Sequence, residues 1–194
     1  ELRNRLETAR QTLFESREQR VPPFKDDKIL TDWNGLMIAA MARAGRALGD
    51  ESLVAAARTA ADFIFDRMWG DGGTLLHRYR DGEAGLHANL DDYAFLVDGL
   101  LALYRATGDR AWLDEADKLT AKQIELFWDE KSGGFFFTSD DHETLLHRPK
   151  PLADDATPSG NGVAIEALQE LALLSGETRL QQAAERAVQA TWKA

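Results

Sequence analysis

Leu36-Met37-Ile38-Ala39-Ala40-Met41-Ala42, continuing through Arg43-Ala44-Gly45-Arg46-Ala47-Leu48 to Gly49-Asp50, decides the fold. Its first seven residues are apolar nearly all the way round a helix, which requires neighbours on several sides. Gly-Asp then ends one helix and opens the next, because glycine accepts a left-handed cap and aspartate caps the following turn. Gly108-Asp109 repeats this punctuation 59 residues later, and Gly176-Glu177 comes 68 residues after that. Trp69 and Trp128 each lie 19 residues beyond the aspartate of their turn, while Trp192 closes a shorter third copy. A period of this size marks a repeat whose unit is a helix hairpin.

Within each unit the two helices differ. First helices are expected at about 32–48, 90–107 and 158–175, and Tyr93-Ala94-Phe95-Leu96-Val97 shows the same all-round apolarity as the opening stretch. Second helices are one-sided. Leu53, Ala57, Ala60, Ile64 and Met68 form a stripe opposite Glu51, Arg58, Asp62 and Asp66, and Trp112, Ala116, Leu119, Ile124 and Phe127 repeat it. Inner and outer helices that bury a core only by stacking on their neighbours predict an all-α fold, a partial (α/α)6 toroid. We expect one unit over 1–194, with hairpins at about 31–69, 90–128 and 158–192 and a flanking helix over 1–20 carrying Leu2, Leu6, Ala9 and Leu13. Trp69, Trp128 and Trp192 read as core. Gly72-Gly73 and Asp81-Gly82 in the first long connection, and Gly133-Gly134 and Asp140-Asp141 in the second, predict short β-hairpins at the rim where the inner helices begin.

Composition narrows function by exclusion. A formal charge of -10 repels phosphate backbones and anionic lipids, so neither nucleic acid nor a membrane is an expected partner. The absence of cysteine rules out disulfides, thiolate metal sites and thiol chemistry within these residues. Four histidines show no familiar ligand spacing, so no metal or other cofactor is expected. No apolar run approaches a bilayer span of roughly 20 residues, and a cytoplasmic location is expected. The chain opens on Glu1 and its last residues are helical in pattern, so it reads as a fragment whose open toroid edges favour self-association.

Chemistry is expected at the inner-helix starts. Asp32, Asp91 and Ser159 recur at one repeat position, and Asn34, Tyr93 and Asn161 recur at another. Converging helix N-termini make a polar cup that favours ionised aspartate. Asp32 and Asp92 are candidates for an acid/base pair, and His87 and His147 for a base titrating near neutrality. Trp33 and Tyr93 offer flat apolar faces beside hydrogen-bonding groups, which suits a sugar, although core packing competes for Trp33. Arg148, Lys150 and Asp155, with Asp154, form a rim cluster able to hold a carboxylate, phosphate or hydroxyl group. Capping is the competing reading for Thr31, Asn89 and Thr157, the last followed by Pro158.

Three ordered segments carry a resemblance: Lys25-Asp26-Asp27-Lys28-Ile29-Leu30-Thr31-Asp32-Trp33-Asn34-Gly35-Leu36, Leu90-Asp91-Asp92-Tyr93-Ala94, and Arg148-Pro149-Lys150 with Asp155-Ala156-Thr157-Pro158-Ser159-Gly160-Asn161. From about Pro22 onward the chain resembles the YyaL/spermatogenesis-associated protein 20 family, with Pro151 departing from the glutamate that often follows the Arg-Pro-Lys element. The resemblance implies a six-hairpin glycosidase-like toroid, related in fold to N-acylglucosamine 2-epimerases and unsaturated glucuronyl hydrolases, attached to a thioredoxin-like domain that these residues do not contain. A small carbohydrate is the implied ligand, acted on by an epimerase-like or hydrolase-like site. A noncatalytic protein- or glycan-binding scaffold is the alternative.

Overall fold

A computed structural model describes residues 1–70, 73–140 and 147–192. Seven helices and three short strands follow in the order α1 (Leu2–Glu18), β1 (Ile29–Leu30), α2 (Thr31–Leu48), α3 (Glu51–Arg67), β2 (Leu76–Arg80), β3 (Glu83–His87), α4 (Leu90–Thr107), α5 (Arg110–Phe127), α6 (Gly160–Ser175) and α7 (Thr178–Trp192). Helices α2, α4 and α6 form the inner layer, and α3, α5 and α7 each pack on the helix before them.

Every inner helix ends on a left-handed glycine: Gly49, Gly108 and Gly176 have φ of 67°, 70° and 77°. The next residue opens the outer helix, and the Asp50 and Asp109 carboxylates accept from Ser52 N at 2.9 Å and Ala111 N at 3.1 Å. Gly35 sets how closely the inner layer packs. A Cβ there would stand 2.5 Å from the Phe95 carbonyl carbon, so α2 and α4 meet backbone to backbone. The core runs from Ile38 and Ile64 through Phe95, Leu96 and Leu100 to Phe127, Leu168 and Leu180. Helix α4, flanked by α2, α3, α5 and α6, buries residues on every side; α2, with α3 and α4 as its helix neighbours, leaves Trp33, Met37 and Leu48 exposed.

Four expectations are corrected. Trp192 is 89% exposed at the end of α7, which packs chiefly on α6. The second connection forms no strand among its described residues; a single bridge, Trp128 with Phe135, stands where a hairpin was expected, and residues 141–146, including Asp141, lie outside the described set. The first connection does form its hairpin, with Asp81 and Gly82 at φ 53° and 87° as a two-residue turn requires. Thr31 does not cap α2, since its hydroxyl donates to the Leu76 carbonyl at 2.6 Å. Nor does Thr157 cap α6: Ser159 takes that place and α6 starts at Gly160, giving it 16 residues against 18 for α2 and α4. Along α1 no residue is buried, and Leu2, Leu6 and Leu13 are exposed.

Candidate functional site

Asp92 organises the rim. It lies in the first turn of α4, 1% exposed, and forms the expected capping box with Asn89, whose N–H donates to Asp92 Oδ2 at 2.8 Å. Its other oxygen leaves its own hairpin and accepts from Asp32 N at 3.0 Å, capping the first turn of α2 from a different repeat. Leu30, the N-cap residue of α2, has no side chain that could do this.

The sheet delivers a third partner. Strand β1 runs directly into α2 and pairs with β2, Leu30 opposite Arg78, so His77 is carried to the start of α2. There Nδ1 lies 2.9 Å from Asp92 Oδ1 and 3.1 Å from Oδ2. A carboxylate at Nδ1 holds the ring with its proton on that side, and among the described residues no hydrogen bond takes Nε2. Asp32 completes the group: one ligand-type atom each from Asp32, His77 and Asp92 lies within 4.8 Å of the others. Such a cluster is compact enough for a cation. However, the Asp92 oxygens already accept from two backbone N–H groups and an imidazole, an arrangement suited to orienting a base rather than to ligating a metal.

Electrostatics follow from the crowding. Hydrogen bonding to Asp92 raises the His77 pKa, against the opposing effect of burial. Burial raises the Asp32 carboxyl, reinforced by repulsion from Asp92 and opposed by the Trp33 N–H, which donates to Asp32 Oδ1 at 2.7 Å. Asp91 is pushed up to about 6, first by burial and then by the charges of Asp92 and Asp32. Its Oδ1 is buried without a hydrogen-bond partner, wedged where a Cβ on Gly160 would stand 2.1 Å away.

The other sequence candidates are placed differently. Tyr93 is 1% exposed and its hydroxyl accepts from Leu75 N at 3.1 Å, so it is core rather than a stacking surface. Trp33 is 62% exposed beside Asp32. Asn34 donates to the Leu30 carbonyl at 2.8 Å, closing the turn into α2. Asn161, wholly buried, accepts from Phe135 N at 2.8 Å and donates to the carbonyls of Phe135 and Pro151 at 3.0 and 3.1 Å. It therefore clamps the second connection instead of facing a shared opening, and it keeps the repeat register of Tyr93, which holds Leu75 N in the first connection as Asn161 holds Phe135 N in the second. Ser159 caps Gly162 N and donates to Pro151.

Rim cations are engaged as well. Arg148 Nε donates to the Thr138 carbonyl at 3.1 Å, pairs with Asp140 and lies 4.2 Å from the Phe136 ring. Lys150 pairs with Asp129 and donates to the Gly133 carbonyl at 2.9 Å. Asp155 and His147 are exposed on the second connection, and His87 is exposed at the end of β3. Sequence reasoning missed His77. Its one local signal was a place on a predicted rim strand; its contact with Asp92 depends on the β1–β2 pairing, which no spacing reveals.

No family model matches the chain. Human spermatogenesis-associated protein 20 is 37% identical over 182 residues, and the rat protein is 38% identical over 181, each match covering 88% of this chain. The chain belongs to the spermatogenesis-associated protein 20 family. It spans 23% of the length of these two curated relatives. A protein of Caenorhabditis elegans with no assigned role is 29% identical over 179 residues, covering 88% of this chain and 24% of its own. Among solved structures, the cellobiose 2-epimerase of Spirochaeta thermophila superposes with a TM-score of 0.66 at 22% identity, over 83% of this chain and 42% of the enzyme. A family 76 α-mannanase of Bacteroides thetaiotaomicron gives 0.69 at 16% identity, over 89% and 45%. A Salegentibacter α-1,6-mannanase, inactivated by changing two consecutive aspartates to asparagine and bound to α-1,6-mannotriose, gives 0.67 at 17% identity, over 84% and 46%. The fold of this family member is thus a partial α/α toroid of the six-hairpin glycosidase-like kind. Among the described residues no helix is long and apolar enough to cross a membrane.

Proposed function

We propose that this chain carries the acid–base site of a carbohydrate-active toroid protein. The observation that carries the reading is the His77–Asp92 pair: a buried carboxylate fixes one ring nitrogen and leaves the other for a ligand, within a group that Asp32 completes at the start of an inner helix. Hydrogen bonding to Asp92 raises the His77 pKa, which favours the imidazolium form. His77 then acts as the acid through Nε2, Asp32 as the base, and Asp92 as the positioning residue. Support comes from the toroid neighbours, which include an epimerase and mannanases. The mannanase silenced at two consecutive aspartates adds to it, since this chain has Asp91-Asp92 at the start of α4.

The test is a panel of unmodified mono- and disaccharides assayed for reducing-end release and for deuterium entry at the carbon next to the carbonyl. Release marks hydrolysis, and isotope entry marks epimerisation. His77→Gln and Asp32→Asn should each lower kcat about 100-fold or more while melting within a few degrees of the wild type. Rates unchanged by both substitutions would remove the acid–base reading. A second reading, a glycan- or protein-binding scaffold for a thioredoxin-like domain, is favoured by one observation: both Asp92 oxygens serve as helix caps. It predicts saccharide binding without turnover.

A further inference from the structure

We infer that the saccharide taken at the Asp32–His77–Asp92 rim is an uncharged one, and that uronates and sugar phosphates are excluded. The inference rests on the proposed saccharide site and names its substrate class. Helix N-termini ordinarily attract anions, because their first N–H groups are free and carry partial positive charge. At this rim the protein's own side chains already occupy them. Asp92 accepts from Asp32 N and Asn89 N, Asp32 accepts from Trp33 N, and on α6 Asp154 and Ser159 accept from Ser159 N and Gly162 N.

Three cations that could recognise an anionic sugar are also committed. Arg148 is held by Thr138 and Asp140, Lys150 by Asp129 and Gly133, and Arg80 by Asp27 and Asp81. Arg78 adjoins His77 in β2, so the alternation of the strand sends it to the opposite face, where its guanidinium lies 3.3 Å from the Cβ position of Gly85. Against these stand Asp32, Asp91 and Asp92, with His77 as the cation among them. Burial and mutual repulsion already make negative charge costly there, and a ligand carboxylate or phosphate would add to it. Hydroxyl groups meet no such cost. They donate to carboxylates, and the exposed Trp33 ring beside Asp32 offers the apolar face that a pyranose needs.

The test pairs each neutral sugar with an anionic counterpart: glucose with glucuronate, mannose with mannose 6-phosphate, and methyl glucoside with methyl glucuronide. Binding to the wild-type protein is measured by titration calorimetry at about 0.02 M and about 0.5 M salt. At least one neutral member should bind, with its anionic counterpart weaker by about tenfold or more at low salt and the gap narrowing at high salt. Asp32→Asn, checked by melting temperature, should narrow the low-salt gap in the same direction. An anionic member that binds as tightly as its neutral partner, or a gap unmoved by salt, overturns the charge-based exclusion and leaves the saccharide reading standing. If no member of any pair binds, both readings fall.

Discussion

The two long connections that return to the inner helices look equivalent in sequence but differ in what they do with their polar groups. In the second, Asn161, Arg148, Lys150 and Ser159 turn toward backbone carbonyls, N–H groups or local carboxylates, and the segment is tied down without a regular hairpin. In the first, a three-stranded sheet supplies the backbone hydrogen bonds. Its side chains are therefore released for other contacts, and His77 reaches Asp92 with one ring nitrogen in hand. Regular backbone pairing in one connection leaves side-chain chemistry available, whereas irregular backbone in the other consumes it.

The sharpest way to break this contrast is to remove the clamp. Asn161→Ala deprives buried Phe135 N–H and the Phe135 and Pro151 carbonyls of a partner, so it should cost about 3 kcal/mol in a urea melt. Saccharide binding per folded molecule should persist, because Asn161 touches none of Asp32, His77 or Asp92. A loss below about 0.5 kcal/mol would mean that the second connection is held by something other than its side chains.

Acid titration separates the two regions with opposite signs. Asp91 titrates above its ordinary 3.8, at about 6, so the folded state favours its neutral form and stability is lost as pH rises from about 4 through 6. His77 acts in the same direction. Its raised pKa means that the pairing with Asp92 contributes fully below 6.5 and is lost as pH climbs through the raised value. Asp129 is the reverse case: burial would lift it, but Lys150 and the N–H groups of Lys131 and Ser132 outweigh that and hold it at about 2. Its contribution is present above 3.8 and fades as pH falls through 2. Asp91→Asn should thus flatten the decline above pH 4, gaining about 1 kcal/mol at pH 7 once solvent access to the side chain is discounted. Asp129→Asn should lower the same stability curve at every pH above about 4 and remove its fall between about 4 and 2.

How much of this was legible depended on how local the cause was. Gly49 and Gly108, with Asp50 and Asp109 after them, announced the helix hairpins because capping is written in adjacent residues. Asn89 with Asp92 was legible for the same reason. Asp92 reaching across to Asp32 N was not, since it requires α2 and α4 to meet at the depth that Gly35 allows. The start of the third inner helix misled. Thr157-Pro158 looked like a helix start, but Ser159 offers both a hydroxyl cap and an N–H that Asp154 can hold, which delays α6 by two residues while Asn161 keeps the place that Tyr93 has in α4.

Trp33 tests the comparison at its smallest expected effect on stability. The ring is 62% exposed and adjoins Asp32, so Trp33→Ala should shift the folding free energy by less than about 0.5 kcal/mol. Saccharide affinity should nevertheless drop about tenfold, because an aromatic face against a pyranose contributes on the order of 1 kcal/mol. The same substitution at Tyr93, buried and bonded to Leu75 N, should cost several times more stability, consistent with about 3 kcal/mol for a large core aromatic. Two aromatics at adjacent positions of the repeat thus divide into a ligand face and a core anchor. Equal stability losses at both positions would place Trp33 in packing and leave the rim without its apolar wall.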